Sequence, residues 1–322
     1  MAQHFLLSAK ARTLSLKAIY AAGEDKAYET FRKFRWPQTD GDAVCPHCGG
    51  VDAYEITTRR RFKCSACSKQ FSVTSGTILA SRKMMFVDLL AALCIIANAA
   101  KGISALQLSR DLNVQHKTAF VLAHKIREAL AVETNGALLN GDVEVDGAYF
   151  GGHIRPANQA ENRVDRRLAE HQTGKRRVVV AFRQRKGRTR TFVVRNEHEG
   201  VEIAKQVVSR SAVMHADEAS HWDALHDGWK VHRINHSEAY CLDGACTNQA
   251  ESYFSRLRRM VQGQHHYVSP QYLHQYAAHA AWLEDHHRLD NGALAHRALG
   301  LALGHKVSRN WKGYWQRNAH AA

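Results

Sequence analysis

Two short cysteine pairs constrain the fold of this chain more than any other feature of its sequence. Cys45-Pro-His-Cys48 and Cys64-Ser-Ala-Cys67 both have C-x-x-C spacing, and fifteen residues separate the two pairs. Four thiolates on two tight turns match the tetrahedral coordination of Zn²⁺, and four cysteines leave no open position for catalysis. The spacing therefore predicts a closed, structural zinc ribbon within residues 42–82.

Four unconnected buried cysteines are one alternative, which the regular spacing disfavours. A redox-active C-x-x-C is another, and it is disfavoured because two pairs occur together and no βαβ pattern surrounds them. A ribbon of this size has little apolar core, so we expect the metal to supply most of its folding free energy, on the order of 10 kcal/mol. His47, inside the first turn, is expected to face solvent. The remaining cysteines lack partners at metal-binding spacing and are expected to be buried or incidental: Cys94, Cys241 and Cys246.

The net charge of the chain limits the class of partner that it is expected to bind. The 322 residues include 45 lysines and arginines against 30 acidic residues, a net charge of +15. This excess favours a polyanion such as nucleic acid, with a merely soluble basic protein as the alternative. We expect the basic segment 155–177 to contact a DNA backbone. No membrane span is expected because the most apolar run, residues 87–100, is too short, and residues 1–10 show no signal peptide.

A helical region follows the ribbon. Residues 86–100, 103–113 and 114–130 have helical patterns, and Asn113 is predicted to end the second helix. Polar and basic residues, His116 to Thr118, begin the third helix. Two helices joined in this way are typical of a helix-turn-helix that reads DNA, with an ordinary helical linker as the alternative.

The rest of the chain has an α/β pattern. Strands are predicted at residues 141–152, 177–182, 189–194, 213–217 and 231–235, and helices at 201–211 and 247–260. This order suits a mixed sheet with helices on its faces, as in the RNase H-like fold. The predicted fold is therefore multidomain: a helical lead-in (1–41), a zinc ribbon (42–82), a helix-turn-helix-like DNA-binding region (83–138) and an α/β RNase H-like catalytic domain (139–322).

Carboxylates on this α/β domain form a candidate catalytic site. Asp146 lies within one predicted strand, and Asp217 ends another. Asn248 and Glu251 are three residues apart and share a helix face, and Arg258 lies about two turns further along. Two Mg²⁺ ions that lie roughly 4 Å apart and are bound by carboxylate oxygens are suited to phosphoryl transfer. A guanidinium can pair with a non-bridging phosphate oxygen.

Several motifs resemble the ISXO-like insertion-sequence transposases of the DDE superfamily, along nearly the whole chain. Residues 45–78 resemble that family's ribbon, CPxCG…CxxCxxxFSxxxGTI. Glu144-Val-Asp-Gly-Ala-Tyr-Phe-Gly-Gly152 is similar to its first catalytic strand. Residues 235–240 and 247–259 are similar to its third catalytic block, and residues 262–269 resemble the segment that follows.

The resemblance implies a bacterial, cytoplasmic, nucleoid-associated DNA transposase. Such an enzyme binds insertion-sequence ends in double-stranded DNA, acts on target DNA as a homo-oligomer, and catalyses metal-dependent strand cleavage and transfer. Its cofactors would be structural Zn²⁺ and catalytic Mg²⁺ or Mn²⁺. An inactive DNA-binding derivative and a zinc-ribbon nuclease of RNase H type are the alternatives.

The catalytic residues that the resemblance implies are Asp146, Asp217, Asn248 and Arg258. Arg258 stands where a lysine is usual, and Gly147 follows the first aspartate where a glutamate is common. From the residues alone, Asn248 and Glu251 both remain candidates for the third metal ligand.

Overall fold

The structure, a computed structural model, describes residues 5–134, 136, 138–152, 156–165, 171, 174–235, 241–242 and 245–314. Two compact units make up the chain. The first unit contains residues 1–133 and 286–322, and the second contains residues 134–285. None of the helices in the described part of the chain is long and apolar enough to cross a membrane.

The first unit begins with a long helix and the predicted ribbon. Helix α1 (Leu16–Arg35) leads to Trp36, and the ribbon is a small antiparallel sheet of β1 (Ala53–Ile56), β2 (Arg61–Cys64) and β3 (Gln70–Phe71). Phe62 and Phe71 are buried with ring centroids 5.6 Å apart, and Trp36 meets both rings edge-on. Three aromatic side chains are the centre of a small core, so the ribbon depends on more than apolar burial.

Three helices follow the ribbon: α2 (Phe86–Asn98), α3 (Ala105–Asp111) and α4 (His116–Thr134). Ser104 caps α3 by accepting a hydrogen bond from the backbone N–H of Gln107. Asn113 has a φ of 49° in the left-handed region, which asparagine tolerates better than most residues, and the chain then turns into α4. Helix α3 ends at Asp111 with Leu112 as its C-cap, so Asn113 is the left-handed residue that follows the cap, one residue beyond the predicted C-cap position.

The second unit is built on a five-stranded mixed sheet of β4 (Asp142–Phe150), β5 (Arg177–Gln184), β6 (Thr189–Val194), β7 (Val213–Asp217) and β8 (Lys230–Ile234). Its strand order is β6-β5-β4-β7-β8. Strand β4 runs antiparallel to β5 and parallel to β7. All five predicted strands are present, and residues 185–188 join β5 to β6 as a hairpin.

Helices cover this sheet: α5 (Glu199–Val207), α6 (Asn248–Arg258) and α7 (Pro270–Asp285). Two short strands, β9 (Cys241–Leu242) and β10 (Ala245–Cys246), pair just before α6. Val143 and Val145 of β4 belong to the apolar core with Trp222. Helix α6 packs on β4 and β5, so alternate polar residues of β4 face this helix.

The chain ends in the first unit, where α8 (Asn291–Gly304) packs against α1 and α2. The sequence prediction extended the α/β domain to residue 322, whereas the second unit ends at residue 285. Apolar side chains of α8 are buried against other helices, among them Leu294, Leu299 and Leu303. A periodic pattern shows that a helix has an apolar face but not which partner covers that face.

Candidate functional site

The four predicted zinc ligands lie together. The Sγ atoms of Cys45, Cys48, Cys64 and Cys67 all lie within 4.8 Å of one another. Two of the separations, Cys45–Cys67 and Cys48–Cys64, are both 3.6 Å. Tetrahedral Zn²⁺ with Zn–S bonds near 2.3 Å places sulfur atoms about 3.8 Å apart. The four thiols therefore fit a structural zinc ion.

The backbone forms the same turn at both cysteine pairs. The N–H of Gly49 donates to the carbonyl of Cys45, and the N–H of Ser68 donates to the carbonyl of Cys64, each at 2.9 Å. Gly49 and Ser68 have φ values of 77° and 57°. Glycine adopts this left-handed conformation without a steric penalty. His47 is exposed and is not among the four clustered ligands, as predicted.

The candidate catalytic residues lie in the second unit. Asp146 is on β4, partly buried, and its Oδ1 accepts a hydrogen bond from the N–H of Gly147 at 2.7 Å. Asp217 is the last residue of β7, and its Oδ1 accepts from the N–H of Ala219 at 3.2 Å. Because β4 and β7 are adjacent and parallel, the two carboxyl groups lie on neighbouring strands.

The electrostatics of Asp146 link it to the other candidates. The pKa of Asp146 is raised to about 7, and burial is the largest cause. The hydrogen bond from Gly147 lowers this pKa, whereas the negative charges of Asp217 and Glu251 raise it. The positive charge of Arg258 lowers the same pKa. These interactions show that Asp217, Glu251 and Arg258 act on one carboxyl group. Crowded, desolvated carboxylates of this kind disfavour one another's ionised form unless a cation is present.

Helix α6 carries the remaining candidates. Asn248 is its exposed first residue, Glu251 lies partly buried one turn later, and Arg258 is exposed at its last residue. The described residues contain one group of at least three Cys, His, Asp or Glu side chains with ligand atoms within 4.8 Å, the ribbon cysteines. Asp146, Asp217 and Glu251 thus lie near one another without forming so close a cluster.

A fourth carboxylate, which the sequence reasoning did not assign, lies beside this site. Glu144 is on β4, two residues before Asp146, and its side chain is completely buried. It pairs with Arg185, and it accepts hydrogen bonds from the first turn of α6. The signal that points to it is the two-residue spacing, which places Glu144 and Asp146 on one face of the strand.

The glycine after Asp146 also has a structural explanation. A Cβ atom built on Gly147 would lie 2.6 Å from Oε1 of Glu197, so a larger residue would displace this carboxylate. Oε2 of Glu197 lies 3.4 Å from Nε2 of His221. A carboxylate from a distant part of the sequence therefore occupies the space beside residue 147.

Basic side chains line a cavity of about 360 Å³ on the ribbon. Four arginines and four hydroxyl residues contribute to it: Arg59, Arg60, Arg61, Arg82, Ser72, Thr74, Ser75 and Ser81. Arg60 is paired with Glu24 at 3.0 Å, whereas Arg59 and Arg61 are exposed. Guanidinium and hydroxyl groups are the donors that proteins use for phosphate oxygens.

Parts of two predicted segments lie outside the described residues. In the basic segment 155–177 these are residues 155, 166–170 and 172–173, and in the 235–240 motif they are residues 236–240. Each assigned metal-binding and catalytic residue lies within the described part of the chain.

Two family models match the chain. One, described as the ISXO2-like transposase domain, matches residues 138–285. The other, described as a transposase zinc-ribbon domain, matches residues 22–70, and together they span more than half of the sequence. Comparison with curated proteins and with solved structures gave no match.

Proposed function

Since the chain belongs to the ISXO2-like transposases, we propose that it binds the ends of an insertion sequence and catalyses metal-dependent strand cleavage and strand transfer. The observation that supports this chemistry is that Asp146 and Asp217 lie on adjacent parallel strands and that the charges of Asp217, Glu251 and Arg258 all act on the Asp146 carboxyl group. The direct test is incubation of the purified protein with Mg²⁺ and DNA that carries the ends of its own element. Cleavage at those ends, and not in a scrambled duplex, is expected.

We propose an RNase H-like fold for the second unit. Its sheet has the order β6-β5-β4-β7-β8, with three antiparallel strands followed by parallel pairing of β4 with β7 and of β7 with β8. The candidate residues Asp146 and Asp217 are on two adjacent central strands. This arrangement supports the fold that the order of predicted elements suggested.

The donor set suits a hard divalent cation. Asp146, Asp217 and Glu251 offer carboxylate oxygens, and Asn248 offers an amide oxygen, the ligand types that Mg²⁺ prefers. When bound, Mg²⁺ supplies charge stabilisation to the attacking and leaving oxygens of phosphoryl transfer. Burial and nearby negative charges raise the pKa of Asp146, and a bound cation would offset both effects.

The chain's own residues would then have separate roles in binding the metal and the phosphate. Asp146 and Asp217 would hold the cation from neighbouring strands, and α6 would provide the third ligand. Arg258 can donate to a non-bridging phosphate oxygen from the far end of α6, where its positive charge already acts on Asp146.

We expect Glu251→Gln to lower the cleavage rate more than Asn248→Ala does. Glu251 is partly buried and its charge acts on Asp146, whereas Asn248 is exposed and uncharged. A carboxylate neutralises bound Mg²⁺ better than an amide does, so its loss is expected to cost about 100-fold or more, at 1.36 kcal/mol per tenfold. Single-turnover cleavage at several Mg²⁺ concentrations measures both variants. A larger defect for Asn248→Ala would assign the third ligand to Asn248 instead.

We propose that DNA contacts extend over the first unit. The net charge of +15 and the arginine-lined cavity on the ribbon support backbone contacts there. We also propose that α3 and α4 form a helix-turn-helix. The tight turn at Asn113 and the polar start of α4 support this assignment.

Affinity for DNA is expected to fall steeply with salt. Each neutralised phosphate contributes a slope of about −0.9 to log affinity against log salt. The double variant Arg59→Ala/Arg61→Ala should make this slope shallower by about 2, because each exposed arginine is expected to contact one phosphate. Fluorescence anisotropy across a salt series measures the slope, with the exposed Lys26→Ala variant as a control on α1. A flat slope for the wild type would reject electrostatic DNA binding.

One observation favours a second candidate function, an inactive DNA-binding derivative. The ligand atoms of Asp146, Asp217 and Glu251 do not form a group within 4.8 Å, which is closer to what a protein without a metal site would show. Ionised carboxylates repel one another in the absence of a cation, so such spacing is also expected of a metal-free catalytic site. Cleavage of element ends by the wild type separates the two functions.

A further inference from the structure

Glu144 makes an unusual set of contacts for a carboxylate. Its Oε2 accepts hydrogen bonds from the backbone N–H groups of Gln249 at 2.8 Å and Ala250 at 3.0 Å, in the first turn of α6. Its Oε1 accepts from Nε of Arg185 at 2.9 Å. Thr247, the residue that precedes α6, provides no side-chain cap. The helix is therefore capped by a residue from the sheet beneath it.

These contacts separate the role of Glu144 from that of Asp146. Both oxygens of Glu144 are engaged by donors, and its side chain is completely buried. Asp146 lies two residues further along the same face of β4, is partly exposed, and accepts from its neighbour Gly147. Glu144 is thus directed at the backbone of α6 and at Arg185.

Arg185 extends the connection to the residues just before the helix. Its guanidinium donates to the carbonyl of Cys246 at 3.0 Å as well as to Glu144. It also lies 3.9 Å from the carboxylate of Asp142, at the start of β4. The Glu144–Arg185 pair therefore contacts the chain on both sides of Thr247, the residue just before α6.

These contacts fix the position of α6 along its own axis, which the burial of its apolar face defines less strictly. Ala250, Phe254 and Leu257 are buried between the helix and the rest of the second unit. Apolar burial is not directional, whereas hydrogen bonds weaken steeply when their angle or length changes. Because Glu251 directly follows the two amides that Glu144 binds, a shift of the helix along its axis would move Glu251 relative to Asp146.

We propose that Glu144, together with Arg185, is a positioning residue that fixes the start of α6 on β4 and thereby sets the distance of Glu251 and Asn248 from Asp146. The consequence for catalysis rests on the proposed function. Residues that orient metal ligands typically change metal affinity or activity by 10- to 100-fold when replaced, and a misplacement of about 1 Å can cost about 100-fold.

The first test is Glu144→Gln, which keeps the volume of the side chain and removes its charge. We expect cleavage at limiting Mg²⁺ to fall about 10- to 100-fold, with a higher Mg²⁺ concentration at half-maximal rate and unchanged affinity for DNA. Arg185→Lys, which keeps a positive charge, provides a second variant and should act in the same direction.

Asp285→Asn is the matched control. Asp285 forms another buried pair with Arg183 of β5 and accepts from the N–H of Thr189 at 2.8 Å, so these contacts join β5 and β6 to the end of α7. Its replacement should lower the temperature of unfolding without raising the Mg²⁺ requirement. Comparison of Glu144→Gln with Asp285→Asn therefore distinguishes a general loss of stability from a specific effect on α6.

Amide hydrogen exchange tests the same proposal without activity. In Glu144→Gln, peptides that contain residues 249 and 250 should exchange faster than in the wild type, whereas peptides from α7 should not change. In Asp285→Asn, the start of α6 should exchange at the wild-type rate.

Combining Glu144→Gln with Glu251→Gln completes the experiment. If Glu144 acts through the third ligand, the double variant should cleave no more slowly than Glu251→Gln alone. Additive losses, or unchanged exchange at residues 249–250 in Glu144→Gln, would overturn the positioning role. Absence of cleavage by the wild type would instead reject the proposed function, and the exchange data would still decide whether Glu144 holds α6.

Discussion

Asp146→Asn should abolish metal-dependent cleavage of element-end DNA while leaving DNA affinity near that of the wild type. The substitution removes one negative charge with little change in volume, at the carboxylate on which Asp217, Glu251 and Arg258 act. Charge stabilisation by a bound metal is worth several kcal/mol, so a loss of about 1,000-fold in rate is expected. The ribbon belongs to the other unit and should still bind DNA.

Single-turnover cleavage and a parallel binding titration measure the two effects. Asp217→Asn should behave in the same way, because it would remove a ligand from the neighbouring strand. Asp223→Asn is the control, since Asp223 is an exposed aspartate of the same unit that pairs with Arg233. Wild-type cleavage by Asp146→Asn at saturating Mg²⁺ would show that the active site is wrongly assigned.

Loss of zinc is expected to unfold the ribbon, which is the second large effect that we expect. Its core is centred on Trp36, Phe62 and Phe71, and its two cysteine turns bring the four thiols together. Binding of structural Zn²⁺ contributes on the order of 10 kcal/mol to domains of this size. In Cys64→Ser we expect zinc content to fall below one equivalent and amide protection in residues 45–71 to be lost.

Cys94→Ser is the matched control for that experiment. Cys94 is buried on α2, accepts a hydrogen bond from Asn98 at 3.3 Å, and is not part of the cluster of four thiols. It should retain one zinc ion per chain and full protection of the ribbon. Full zinc content and a folded ribbon in Cys64→Ser would contradict the assignment of the metal site.

The features that the sequence predicted correctly are local ones. Zinc coordination needs only the spacing within and between two cysteine pairs, and the thiols do cluster. Strand β4 and helix α6 are visible as periodic patterns, because the burial of one face leaves a mark at fixed intervals. Asn113 was predicted to end a helix, since asparagine tolerates the left-handed conformation that it adopts here.

What could not be predicted depends on contacts between residues far apart in the chain. Glu144 and the amide of Gln249 are more than one hundred residues apart, and nothing local to β4 shows that its carboxylate caps α6. The carboxylate of Glu197 occupies the space beside Gly147 for a similar reason. The pattern of helix α8 shows an apolar face but not which unit covers it, and in the structure α8 packs on α1 and α2.

We expect this chain to join DNA as well as to cut it. The most direct measurement is incubation of the wild type with Mg²⁺, a duplex that carries the element's own end, and a labelled target duplex. We expect joined products that require both Mg²⁺ and the correct end sequence and that are absent with Asp146→Asn. Cut ends without joined products would indicate a nuclease, and an uncut duplex would indicate an inactive DNA-binding derivative; either result would contradict a strand-transfer activity of this chain.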